Sequence, residues 1–205
     1  MESTATTQLW SSIHVSEDLN LLYGPRLGRF YLLPYARALD PGFVRIAGLH
    51  QARFCDALPD PAEQIGRTLE GSPTAPMAAA ALIHVLAYRL LHVSRHVMPL
   101  RLMATLLRRI SRLRRGSLPQ YATHAALAEA LYTLEFSMGS GDCYPRALMT
   151  AYFALKSGQA CTITVGALTP TRKMHVWCVV DGVLPFEPLP EHYLYQPLWT
   201  LRLMP

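Results

Sequence analysis

A cysteine placed at a helix start is the feature of this chain that most suggests chemistry. In GDCYPRAL, residues 141–148, the small residues of GSGD end one apolar run and a second helix-like run begins. Asp142 stands as N-cap, Cys143 as the first helical residue, and Pro145 stays inside the first turn, where a missing N–H costs nothing. A helix N-terminus concentrates unpaired N–H groups and roughly half a positive charge, so a thiol there ionises more readily. The same groups, the Cys143 backbone N–H among them, could hold the oxyanion formed when a thiolate attacks a carbonyl. The competing reading is a small buried cysteine that only packs.

A thiol nucleophile needs a base, and the base an orienting acid. Of the eight histidines, His84, His92 and His96 fall on or beside one long apolar segment, His124 on the next helix, and His14 and His50 near the N-terminus. All of these read as structural. His175 lies in KMHVWCVV, a strand-like run one strand beyond the cysteine helix, an order that can carry an imidazole over a helix N-terminus. Three carboxylates follow it: Asp181, Glu187 and Glu191. Asp181 is the natural turn residue of an Asp-Gly hairpin. Glu187 lies on the return strand, where a regular two-residue hairpin would set position 188 opposite 175 and turn Glu187 to the other face. A bulge or a three-residue loop would bring 187 opposite 175, and Pro185 already disfavours regular pairing. Glu187 therefore demands an irregular hairpin.

The elements that must position these residues follow from pattern. The fold class expected is α+β, with helices followed by an antiparallel sheet. IHVSED gives way to LNLLYGPRLGRFYLLP, whose two apolar runs flank a Gly-Pro and Gly turn, a small antiparallel sheet. Residues 41–58 are mixed and partly helical. DPAEQIGRTLEG, residues 60–71, reads as a short helix with Asp60 as N-cap and Gly71 as its stop. GSPTAP, 71–76, is the linker candidate, dividing the chain into 1–75 and 76–205. Beyond it come three helices before the cysteine helix. Residues 77–96 form an apolar helix whose most apolar segment, 77–93, is about one turn short of a comfortable membrane span, so it is read as buried. A second runs from Pro99 to about Arg115 with an apolar face of Leu102, Leu106, Ile110 and Leu113. A third begins at Thr123 with Leu127, Leu131 and Leu134 on one stripe. The cysteine helix buries Leu148, Tyr152 and Leu155 and stops at Gly158. Strands ACTITVGAL, KMHVWCVV and VLPFEPL complete the chain, the last two joined at Asp181-Gly182.

Composition narrows the classes. The chain has 205 residues, 51% hydrophobic and 16% charged, enough for one full core or two small domains. Its four cysteines, Cys55, Cys143, Cys161 and Cys178, form no CxxC pair, which argues against a zinc ribbon or disulfide scaffold and for a reducing compartment. MESTATTQLW has no basic-then-apolar signal run. No phosphate-binding GxxxxGK[ST] or GxGxxG occurs, and no cofactor or metal is expected. Residues 1–75 carry 6 Lys and Arg against 8 Asp and Glu, whereas 76–205 carry 13 against 6. Most of the excess is RRISRLRR, 108–115. No aromatics interleave with it, so it reads as a solvated helix face or a contact for a partner protein or acidic precursor, not a nucleic-acid site.

The Asp-Cys helix start, a spacer of about thirty residues, and HVWCVVDGVL at 175–184 together resemble the B proteins of lasso peptide biosynthesis. These are bacterial maturation cysteine peptidases with a papain- or transglutaminase-like fold. The resemblance covers about 142–188. It implies Cys143 as nucleophile, His175 as base and Glu187, twelve residues on, as the acid, where the family usually has Asp. Trp177 matches a family tryptophan expected to pack. The resemblance further implies that 1–75 form a small winged-helix-like leader-recognition domain of three strands plus helices. A leader peptide would add there as an extra strand near Tyr31 and Leu32, although these could equally be core residues. The implied activity is removal of a leader from a ribosomally made precursor in the bacterial cytoplasm. The partners implied are that precursor and an asparagine-synthetase-like cyclase that supplies any ATP chemistry. Acyl transfer on the same residues, as in transglutaminases or arylamine acetyltransferases, is the alternative enzyme, and a peptide-binding module with an inert triad is the non-enzymatic one.

Overall fold

A computed structural model describes residues 8–10, 13–16, 19–24, 29–34, 66–68, 82–95, 98–113, 121–139, 141–168, 173–188 and 192–205. Expectations for residues 41–58, the linker at 71–76 and Glu191 lie outside these. The described elements are β1 (Gln8–Trp10), β2 (Ile13–Ser16), β3 (Leu19–Gly24), β4 (Arg29–Pro34), β5 (Arg67–Thr68), α1 (Leu82–Ser94), α2 (Leu100–Leu113), α3 (His124–Met138), α4 (Cys143–Lys156), β6 (Cys161–Leu168), β7 (Lys173–Val180), β8 (Val183–Leu184) and β9 (Gln196–Leu203). Among the described residues the fold is α+β: four helices, then an antiparallel run of strands.

Strands β2, β3 and β4 form the small antiparallel sheet expected of the N-terminal runs, with Leu21 opposite Leu32 and Leu22 opposite Tyr31. The larger sheet has the order β1-β9-β6-β7-β8-β5. In it β6 pairs antiparallel with β7 over its whole length, Gly166 facing His175, and with β9 on its other side. Strands β1 and β5, from the first 75 residues, lie in this same sheet. β9 was not expected from its sequence, QPLWTLRL. It is buried on both sides, so it lacks the alternation that marks a half-exposed strand.

The short helix read over 60–71 is corrected at its C-terminal half. Gly66 has φ +73°, and Arg67–Thr68 run extended beside Val183 and Leu184. Pairing with β8 there overrides local helix propensity.

Helix packing sets the middle of the molecule. α3 begins at the expected Thr123, whose hydroxyl accepts from the Ala126 N–H, and buries Leu127, Leu131 and Leu134. α4 is the central helix. Of its expected stripe Leu148 and Leu155 are buried but Tyr152 is only half-buried, whereas every other residue from Pro145 to Lys156 is buried. Other helices cover one side and β6 and β7 the other. α1 and α2 differ from expectation in the opposite sense. α1 buries Tyr88, Leu91 and Ser94, but Leu82, Ile83, Leu86, Leu90 and Val93 are each more than half exposed, so it is not a buried helix. α2 turns Leu100, Met103, Ala104 and Leu107 to the core and leaves Leu102 and Leu106 out. Apolar residues on two sides of α2 make the inward side ambiguous in sequence. Among the described residues no helix is long and apolar enough to cross a membrane.

Candidate active site

Cys143 opens α4 as the local sequence requires. Asp142 is extended, φ −126° and ψ 128°, and its Oδ1 accepts from the Tyr144 N–H at 3.1 Å. The Cys143 N–H is one of the helix-start amides with no intrahelical carbonyl to bind. The cap is itself gripped by α1, since Asp142 Oδ2 is 2.9 Å from His92 Nδ1 and also meets the Arg95 guanidinium. His92, expected to be merely structural, thus reaches the cap of the cysteine helix. The other structural histidines behave as expected where described. His84 packs edge-on against Phe153 at 5.0 Å, its pKa lowered by burial, and His124 Nε2 lies 3.0 Å from the Val180 carbonyl.

His175 is presented by β7, in register with Gly166 of β6. Its ring stacks on Trp177 at 5.6 Å and lies 5.2 Å from that of Tyr195. Trp177 is buried, as expected of a packing residue. Its indole crosses Gly166 so closely that a Cβ there would lie 2.6 Å from Trp177 Cη2 and 2.9 Å from the Gln196 carbonyl oxygen. A glycine opposite the histidine lets the tryptophan lie flat and support the imidazole.

The hairpin resolves which acid meets His175. Asp181 and Gly182 both take positive φ, 47° and 78°, the mirror-image turn that Asp-Gly favours, and Val180 pairs with Val183. That is the regular two-residue register. β8 then ends after Leu184, and Pro185 takes the chain out of the ladder. The irregularity that Glu187 demanded lies in this early exit rather than in a bulge at the turn. Glu187 Oε2 ends 2.9 Å from His175 Nε2, while Asp181 is an exposed turn residue.

The electrostatics follow from these contacts. For Cys143, burial is the largest influence and opposes the thiolate. The hydrogen bond and charge of His175, the Val176 backbone N–H and the Arg146 guanidinium outweigh it and hold the thiol below its ordinary range. For His175, burial again works against the charged form. Hydrogen bonds to Cys143 and Glu187, and their charges, raise it to about 9. The arrangement favours a thiolate–imidazolium pair with a carboxylate behind the imidazole, which is the resting state of a cysteine nucleophile.

Three further residues, not singled out by sequence, complete the site. Arg146 donates from Nη1 to Glu187 Oε1 at 3.0 Å and from Nε to Glu135 Oε1 at 2.6 Å. Tyr88 O–H lies 3.1 Å from Glu135 Oε1, and its oxygen accepts from the Asp142 N–H at 3.0 Å. Burial, the first influence on Glu135, raises its pKa against the pull of Arg146. The available signal was Arg146 itself, the one charge between Cys143 and Lys156 on an otherwise uncharged helix.

The model of the transglutaminase-like superfamily matches residues 83–200, from α1 into β9. The chain belongs to that superfamily. The assignment gives it a fold of the cysteine-peptidase and acyltransferase type. Within the transglutaminase-like segment lie Cys143, His175, Glu187 and the Arg146 network. The small sheet lies before it, with Tyr31 and Leu32 on the outer strand β4. Neither the curated proteins nor the solved structures offered a match. Among the described residues no group of three His, Cys, Asp or Glu could hold a metal ion.

Proposed function

We propose that this protein is a leader peptidase of lasso peptide maturation. Cys143 attacks the scissile carbonyl at the end of the leader, and the amide carbonyl oxygen gathers charge toward the α4 N-terminus. His175, as imidazolium, gives its proton to the departing core amine. Water then adds to the acyl-enzyme, with His175 now taking a proton from it, and the leader leaves as a free acid. Glu187 keeps the ring aimed and stabilises its charged form. The observation that carries the reading is the Glu187–His175 contact at 2.9 Å beside a thiol held below its ordinary range. The match of HVWCVVDGVL and the Asp-Cys helix start to the lasso B pattern supports the specific substrate.

Within residues 1–75, whose β1 and β5 join the larger sheet, the three-stranded sheet of β2 to β4 is proposed as the leader-recognition part. β4 stands at the edge of the three-stranded sheet, which suits addition of a leader strand beside Tyr31 and Leu32. The freed core would pass to an ATP-dependent, asparagine-synthetase-like cyclase in the bacterial cytoplasm. Incubation with a leader–core peptide and mass spectrometry tests the reaction. A free leader acid, absent with Cys143→Ala, is expected. A leader joined to an amine would instead establish acyl transfer, and unchanged processing by Cys143→Ala would leave no role for the site.

A further inference from the structure

We propose that Arg146 is a positioning residue whose guanidinium, matched in reach to a glutamate at 187, fixes that carboxylate against His175 and so sets the ionisation of Cys143. The inference rests on the Cys–His–acid chemistry above but not on which peptide is cleaved. Arg146 lies three residues after Cys143, on the same side of α4. Its fork meets two carboxylates. Nε and Nη2 reach Glu135 at 2.6 and 3.4 Å, and Nη1 reaches Glu187 at 3.0 Å.

Glu187 divides its oxygens between its partners, Oε1 to Arg146 and Oε2 to His175. An aspartate from the same backbone position would come up one methylene short of spanning both. The longer acid and the arginine therefore belong together. The side chains of Glu187 and Arg146 are only 1% and 8% exposed. Without Arg146, the Glu187 Oε1 that it binds would lose that buried partner, and the carboxylate could turn away from the ring. Arg146 fixes which oxygen faces the ring.

The far side of the fork is anchored to the nucleophile. Glu135 binds Tyr88, and Tyr88 binds the backbone of Asp142, the residue before Cys143. Gly141 sits directly on the ion pair, where a Cβ would lie 2.7 Å from Glu135 Oε2 and 3.0 Å from Arg146 Nη2. One guanidinium thus ties the site's acid to the chain entering its nucleophile. Among the groups facing the titrating pair, Cys143, Glu187 and the Tyr195 ring face His175; His175, Arg146 and Tyr88 face Cys143; Arg146 and His175 face Glu187, with Glu135 beyond.

The test is the pH dependence of Cys143 alkylation by iodoacetamide in the full-length protein, with peptide mapping to follow Cys143 and circular dichroism to follow melting. Wild type is compared with Arg146→Gln, Arg146→Lys, Glu187→Asp and the Arg146→Gln/Glu187→Asp double variant. Each single variant should move the acid limb of the profile upward. The expected shift for Arg146→Gln and Glu187→Asp is about one pH unit, about a tenfold slower reaction at pH 6, and it is smaller for Arg146→Lys, which keeps charge but not the fork. The double variant should be no worse than the more severe single one, because one shared contact is lost in each. Lower melting temperatures with an unmoved pH profile would overturn the proposal, as would shifts that simply add in the double variant. If Arg146→Gln fails to fold, Arg146→Lys and Glu187→Asp decide by the same profile. Alkylation uses no peptide, so its outcome is separate from that of leader cleavage.

Discussion

The α4 N-terminus and the segment after β8 each deliver one side chain to His175, by different means. Cys143 is set by contiguous sequence: an aspartate that caps and a proline tolerated in the first turn. Glu187 is set by distant partners. It leaves a regular hairpin at Pro185 and is caught by His175, twelve residues back, and by Arg146, 41 residues back. The nucleophile's position can be read along the chain, whereas the acid's exists only once α4 and β7 have met.

Replacing the residue that both ends share should have the largest effect. His175→Asn removes the proton donor and the counter-charge of the thiolate, and kcat/KM for leader cleavage should fall by about 10²–10⁴. Cleavage near the wild-type rate would break the comparison at its centre. pH then separates the two ends. His175 is raised to about 9, so cleavage should fall about tenfold per unit once pH rises beyond that value and the leaving amine loses its acid. Alkylation of Cys143, which needs only the thiolate, should not fall there. Stability has the same sign for His175: its raised pKa contributes fully below about 6.5 and is lost as pH climbs through about 9. The depressed Cys143 pKa contributes above the ordinary thiol range and is lost as pH falls through its lowered value.

Smaller effects test the supports. Gly166→Ala would push a methyl into the Trp177 indole and the Gln196 carbonyl. Denaturant unfolding should show a loss of about 1–3 kcal/mol, with slower cleavage as His175 loses its platform. Asp142→Ala removes the α4 cap and should cost about 1 kcal/mol in the same measurement. Asp142→Asn keeps an oxygen for the Tyr144 N–H and loses only the charge facing His92 and Arg95, so it should cost less than the alanine variant. Equal costs would show that the grip from α1, not the cap, holds the nucleophile's end.

Legibility in the sequence followed the range of the interaction. Thr123, Asp142 and the Asp181-Gly182 turn were readable because a cap or a mirror-image turn depends on a few adjacent residues. The Leu127, Leu131 and Leu134 stripe was readable because α3 has one wet side. α1 misled because bulk hydrophobicity does not say which side meets a neighbour, and Leu86 and Leu90 face outward although they are as apolar as Leu91. β9 gave no alternation because both of its sides are covered.

The amino-acid sequence by itself determined that a cysteine would open a helix, that a histidine strand would follow one strand later, and that Asp181-Gly182 would turn the chain back. The helix start and the turn depend on backbone dihedrals and hydrogen bonds within a few residues, and the strand on a local run of apolar and β-branched residues. Only the tertiary structure decided that Glu187 rather than Asp181 meets His175, and that Arg146, Glu135 and Tyr88 stand behind them. It also decided that α4 is covered on nearly every side. Those outcomes depend on which charges are buried together, and burial belongs to the assembled layers, not to any segment of the chain.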